Sequence, residues 1–133
     1  MGDRPAAVGA PRVAILADDL IWATRLVDAV GAAGGRGTRL RRLEDLEALL
    51  RDDPAPRHVI VDLTARAYDG VEAIRRAAAA GARVVAVGQH DDVSLRRAAT
   101  EAGATRVFTY RALFEDGPRN LAAWLGRSPA RMS

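Results

Sequence analysis

Five short apolar runs alternate with five stretches of helical periodicity, and no other feature narrows the fold of this chain so far. The runs are VAILA at 13–17, the weaker GTRLRR at 37–42, VIV at 59–61, RVVAV at 83–87 and RVFTY at 106–110. Helical spacing of apolar residues falls at 20–30, 43–50, 71–80 and 93–102. A final helix is expected over 119–125, with Pro118 in its first turn and Trp124 facing inward. Gly31, Gly34-Gly35, Gly81 and Gly103 read as helix stops. Strands that are apolar throughout, joined by single helices, predict a parallel sheet covered on both faces. Right-handed crossovers leave few topologies. The polar second run suits a sheet edge. The expected fold is therefore α/β: a flavodoxin-like (βα)5 doubly wound parallel sheet of strand order 2-1-3-4-5, built as a three-layer sandwich. The domain spans 12–126, with loose tails at 1–11 and 127–133.

A length of 133 residues suits one hydrophobic core, and 49% apolar with 28% charged residues is an ordinary globular balance. All 20 basic residues are arginine, against 17 acidic ones, for a net charge of +3. The pI near 10.4 reflects how few groups titrate between the carboxylates and the guanidiniums. It is not a nucleic-acid signature. The Arg-Arg pairs at 41–42, 75–76 and 96–97 lie on three different elements with few aromatics beside them, so they read as solvated faces, and no nucleic-acid partner is expected. The absence of cysteine excludes disulfides and thiolate chemistry and fits a reducing compartment. No signal-like segment opens the chain and no apolar run nears the roughly 18 residues of a membrane span. A cytoplasmic location without a membrane partner is expected.

The acidic residues then stand out. Asp18 and Asp19 end the first run and Asp62 ends the third. In the order 2-1-3-4-5 these two strand ends flank the switch point where such sheets bind ligands. Carboxylates crowded there repel one another unless a cation intervenes, and a hard ion such as Mg²⁺ suits oxygen donors. The competing role is helix capping, which for Asp19 is equally open. His90, near the same crevice, is a candidate nitrogen ligand or base. Trp22 and Trp124 read as packing residues. Gly34-Gly35 and Gly37 close a helix instead of opening one, so they form no phosphate loop.

The pair of stretches "ILADDL" and "VIVDLTARAYDG" resembles the receiver domain of bacterial two-component response regulators over about residues 12–126. The resemblance implies that Asp62 is the phosphoacceptor. It also implies a Mg²⁺ cofactor held by Asp62, Asp19 and the Thr64 main-chain carbonyl, with Asp18 acting through water. The Asp69-Gly70 pair matches the family's loop ending. A receiver is a signalling module, not an enzyme. Its implied partners are proteins, a histidine kinase or an effector, with a homodimer through the fourth helix, fifth strand and fifth helix as the family geometry.

Half of the family's machinery is replaced. Gly88 stands where the family carries Ser or Thr, Tyr110 where it carries Lys, and Val107 where it carries an aromatic switch residue. Arg66 stands where a proline is frequent. A lysine at the Tyr110 position would stabilise charge in phosphoryl transfer, and this chain has no lysine at all. Arg66 and Arg111 are the candidate counter-charges to the acidic trio. The expected function is a stand-alone receiver-like regulatory module that acts by protein binding, with phosphorylation weak or absent. The alternative is a working phosphoacceptor, modified on Asp62 with Mg²⁺; a third class is a small-molecule or metal-binding regulator using the same crevice.

Overall fold

The five apolar runs form five parallel strands, β1 (Arg12–Leu16), β2 (Arg36–Leu40), β3 (His58–Asp62), β4 (Arg83–Gly88) and β5 (Ala104–Thr109). They alternate with α1 (Leu20–Ala32), α2 (Leu43–Leu50), α3 (Gly70–Ala79), α4 (Val93–Ala102) and α5 (Tyr110–Trp124). This is a computed structural model, and it describes residues 9–52, 54–89 and 91–126. Most of the expected N-terminal tail, the tail at 127–133 and His90 lie outside the described residues.

The sheet order is β2-β1-β3-β4-β5, every pair parallel, with β2 at an edge. Side chains alternate across the strands and so build two cores. Val13, Ile15, Ile60, Val85 and Val87 pack with Leu26 of α1 and Leu113, Leu121 and Trp124 of α5. Ala14, Leu16, Val59, Val61 and Ala86 pack with Leu46 of α2, Ile74 of α3 and Ala99 of α4. Strands buried on both faces are what a doubly wound sheet requires, and they explain why these runs are apolar without alternation.

Four of the five helices begin on a side chain that accepts from an amide of the first turn. Asp19 caps α1, Asp69 caps α3, Asp92 caps α4 and Thr109 caps α5. Each cap satisfies one of the orphan amides of a helix start. The exception is α2, whose N-cap is Arg42 and has no side-chain cap hydrogen bond.

Two sequence expectations need correction. Gly31 does not stop α1, which runs on to Ala32; Gly34, with φ of 94°, makes the turn. A mid-helix glycine costs only about 0.5–1 kcal/mol, whereas a positive φ nearly requires one. The last helix starts far earlier than residue 119. The strand ends at Thr109, Tyr110 is already helical, and the helix breaks at Asp116 (φ −141°, ψ 27°) before Pro118. Proline lacks the N–H that would continue the ladder and its ring crowds the carbonyl four residues back, so the chain resets there.

Candidate functional site

The strand order brings the ends of β1 and β3 side by side, with Leu16 in register with Val61. Asp18 and Asp19 follow one strand, and Asp62 ends the other. Asp62 has 0% of its surface exposed and is the one buried charged side chain among the described residues. A buried carboxylate needs donors. Thr64 supplies two: its amide at 2.9 Å and its hydroxyl at 2.8 Å both donate to Oδ1. The Thr64 hydroxyl also lies 3.1 Å from the Tyr110 hydroxyl. A threonine hydroxyl has one proton, and Thr64 spends it on Asp62, so Tyr110 is the donor in that contact. The proton order is Tyr110 to Thr64 to Asp62. The other oxygen of Asp62, Oδ2, is buried and has no hydrogen-bond partner.

The Tyr110 ring is held in place by aromatics. Trp22 of α1 lies 4.1 Å from it and Phe114 one helical turn on lies 6.3 Å from it, centroid to centroid. The Arg25 guanidinium sits 5.3 Å from the Trp22 ring and 5.8 Å from that of Phe114. Such stacking favours the ring positions by electrostatics beyond simple burial. Burial first, then the interaction with Asp62, raise the Tyr110 pKa well above its ordinary 10.0.

Tyr68 ties the two strand ends together from the other side. Its hydroxyl is shared between the Leu16 carbonyl at 2.8 Å and the Asp62 carbonyl at 2.7 Å. Burial, then the charges of Asp62 and Asp18, raise its pKa as well. Sequence reasoning missed Tyr68; the only available signal was a tyrosine immediately before the Asp69-Gly70 pair.

The three aspartates share one end of the sheet as expected, but each has a separate task. Asp18 Oδ2 accepts from the amides of Arg66 at 2.9 Å and Ala67 at 3.1 Å, pinning the loop after β3. Asp19 Oδ1 accepts from the Trp22 amide at 3.0 Å, which is the capping role. Among the described residues, no three His, Cys, Asp or Glu side chains gather as a group that could hold a metal ion. Each carboxylate has one oxygen on a protein donor and one that accepts no hydrogen bond from another described residue.

The guanidinium of Arg111 is exposed and donates to Glu115 at 2.9 Å, a neighbour one helical turn away. Among the described residues, Arg66 meets the trio through its main-chain amide, which donates to Asp18. The side-chain groups that reach Asp62 directly or through one another are the Thr64 and Tyr110 hydroxyls. Gly88 ends β4 and is buried, and the nearest atoms to a Cβ built on it belong to the Leu63 side chain, at 3.4 Å. Val107 is half-buried in β5 and packs against the α2–α4 core.

No protein-family model matches the chain, and no curated protein matches it either. Solved structures do. A response regulator receiver protein from Burkholderia phymatum aligns with a TM-score of 0.72 and 25% identity, over 89% of this chain and 97% of that one. The fold is the receiver fold of two-component response regulators. The BeF3-activated DrrB receiver domain aligns at TM-score 0.69 and 22% identity, covering 88% and 95% of the two chains. A Burkholderia pseudomallei response regulator, solved with a phosphorylated aspartic acid, calcium ion and citrate, aligns at 0.70 and 16% identity over 87% and 69%. On this receiver fold the carboxyl ends of β1 and β3 form the crevice described above. No helix among the described residues is long and apolar enough to cross a membrane.

Proposed function

We propose that this receiver-fold protein is a regulatory module of two-component type whose output is binding to another protein, and whose Asp62 is held unphosphorylated by neutral hydroxyls. One observation carries this reading: the buried carboxylate of Asp62 is bound by Thr64, which is in turn bound by Tyr110. A phosphoryl group on Asp62 would place added negative charge beside a tyrosine and a threonine, with no ammonium group in the chain to meet it. Asp18 and Asp19 each commit one oxygen, to the loop after β3 and to the helix cap. The first turn of α1 offers the docking patch for a protein partner, a histidine kinase or an effector: Leu20 is 63% and Ile21 66% exposed. The family's dimer face, α4 with β5 and α5, is the second candidate surface for a partner or a second copy. Mg²⁺ enters this reading only as a weak ligand of the free carboxylate oxygens.

The test uses beryllofluoride with Mg²⁺ on a Trp124→Phe background, so that Trp22 alone reports. Trp22 packs on Tyr110, so any rearrangement around Asp62 changes its emission. The proposal expects no saturable change. A saturable response that Asp62→Asn abolishes would establish the alternative, a working phosphoacceptor. That alternative rests on Asp62 Oδ2, a buried oxygen with no partner at the position phosphorylated in receivers.

A further inference from the structure

Among the 13 residues of α1 only Arg25 and Asp28 carry charge, whereas the shorter α2 and α4 hold three charges each. The inward side of α1 is set by Ala23, Leu26, Ala29 and Val30. On the outward side Ile21, Arg25, Asp28 and Ala32 are all exposed, at spacings of four, three and four. That spacing keeps a stripe on one side of a helix, as in the seam of a coiled coil. Phe114 and Pro118 of α5 stand along the stripe, and a groove of about 350 Å³ runs between the two helices. Arg25 and Asp28 lie three positions apart on one helix, where opposite charges can pair. Among the described residues, however, neither enters a salt bridge. The Arg25 guanidinium is held over the rings of Trp22 and Phe114 instead. Stacking on a ring face uses up no N–H group, so its donors stay available to an acceptor from outside.

We infer that this stripe is covered by a second copy of the chain, α1 against α1, antiparallel about a two-fold axis. The charges decide both the occupant and the direction. A two-fold interface sets residue i of one copy against j of the other, and j against i. With the axis between Arg25 and Asp28, each Arg25 faces the Asp28 of the other copy and two ion pairs close. In the same register Ile21 falls against Ala32, a large side chain on a small one. Parallel pairing would set Arg25 against Arg25 and Asp28 against Asp28, and like charges repel. Charged pairs at such a seam serve chiefly to fix register and orientation. The dimer rests on the reading of α1 as a docking face, and it leaves α4 and β5 open to a different protein. A partner that docks on Ile21 competes with the second copy.

Sedimentation equilibrium of the full chain from about 1 to 500 µM tests the inference. A reversible monomer–dimer equilibrium within that range is expected. Arg25→Asp and Asp28→Arg should each weaken it at least about tenfold, since each change sets like charges against one another twice. An equal mixture of the two variants should regain the native affinity to within about threefold, because opposite charges then face each other at both positions. Circular dichroism checks that each variant keeps the fold. Asp28→Arg removes no packed ring contact and keeps the test open if Arg25→Asp disturbs α1. Asp62→Asn should leave the equilibrium unchanged, which separates this result from the beryllofluoride test. A chain that stays monomeric throughout the range overturns the inference. So does dimerisation that neither reversal weakens, which would put the contact on another face, or a mixture that forms no more dimer than either variant alone.

Discussion

The hydroxyls of Tyr110 and Thr64 meet at 3.1 Å across 46 positions of sequence, and the Thr64 hydroxyl donates a hydrogen bond to Asp62. This contact links the start of α5 to the end of β3 at the place where a receiver's chemistry resides. In the proposed reading this neutral pair stands where a receiver carries a cation, and the consequences can be measured.

Removing the middle of the relay should destabilise the fold. Thr64→Val keeps the side-chain shape and leaves Asp62 Oδ1 with the Thr64 amide alone. Hydrogen bonds to charged groups are worth about 1.5–3 kcal/mol, so urea unfolding near neutral pH should show a loss of that order. Tyr110→Phe should cost less, about 0.5–1.5 kcal/mol, because its ring packing survives. The double variant should lose less than the sum, since both changes break one chain. Strict additivity would show that the hydroxyls act separately.

The chain contains two tyrosines, and both have a raised pKa, in each case chiefly through burial. A group whose folded pKa lies above its unfolded value contributes stability below the unfolded value and loses it as pH climbs beyond. Stability should therefore hold up to about pH 10 and fall above it. Tyrosinate absorbance should appear together with the loss of the far-ultraviolet helix signal. A tyrosine that ionises near pH 10 in the intact fold would contradict the enclosed positions of Tyr68 and Tyr110.

His58 opens β3 at the opposite end of the sheet, its ring 4.8 Å from that of Trp124. Burial, then the positive charge of Arg83, lower its pKa below 6.5; the Trp124 main chain opposes this, and Arg57 adds to the lowering. The folded state thus releases a proton that the unfolded state keeps. Stability from this group is complete above pH 6.5 and is lost as pH falls through the folded pKa. Unfolding free energy measured from pH 8 down to 5 should decline for the native chain, and the decline should shrink in His58→Phe. Identical slopes would remove His58 as the cause.

Much of this architecture was legible because the sheet is buried on both faces. Strands such as VIV at 59–61 could be nothing but central, and the polar β2 could only be an edge. The shared end of Asp18, Asp19 and Asp62 follows from that order alone. What the sequence hid was direction and partnership. Tyr110 reads as the last residue of a strand, yet the Thr109 cap makes it the first of α5, and that single step aims its hydroxyl at Thr64. Motif comparison registers a missing lysine; it does not register the hydroxyl contact that Tyr110 makes with Thr64. Thr64 was read only for its main-chain carbonyl, whereas its amide and side chain turn back on Asp62. Arg111 could have been dismissed earlier, because Glu115 sits four residues on in a helix and claims it.

The most direct measurement is intact mass after incubation with acetyl phosphate and Mg²⁺, comparing the native chain with Gly88→Ser/Tyr110→Lys. The space at Gly88 admits the serine Cβ in ordinary contact with Leu63, and the lysine supplies the absent cation. The account predicts no phosphoryl adduct on the native chain and a clear one on the double variant, lost again when Asp62→Asn is added. A stable adduct on the native chain that Asp62→Asn abolishes would contradict it.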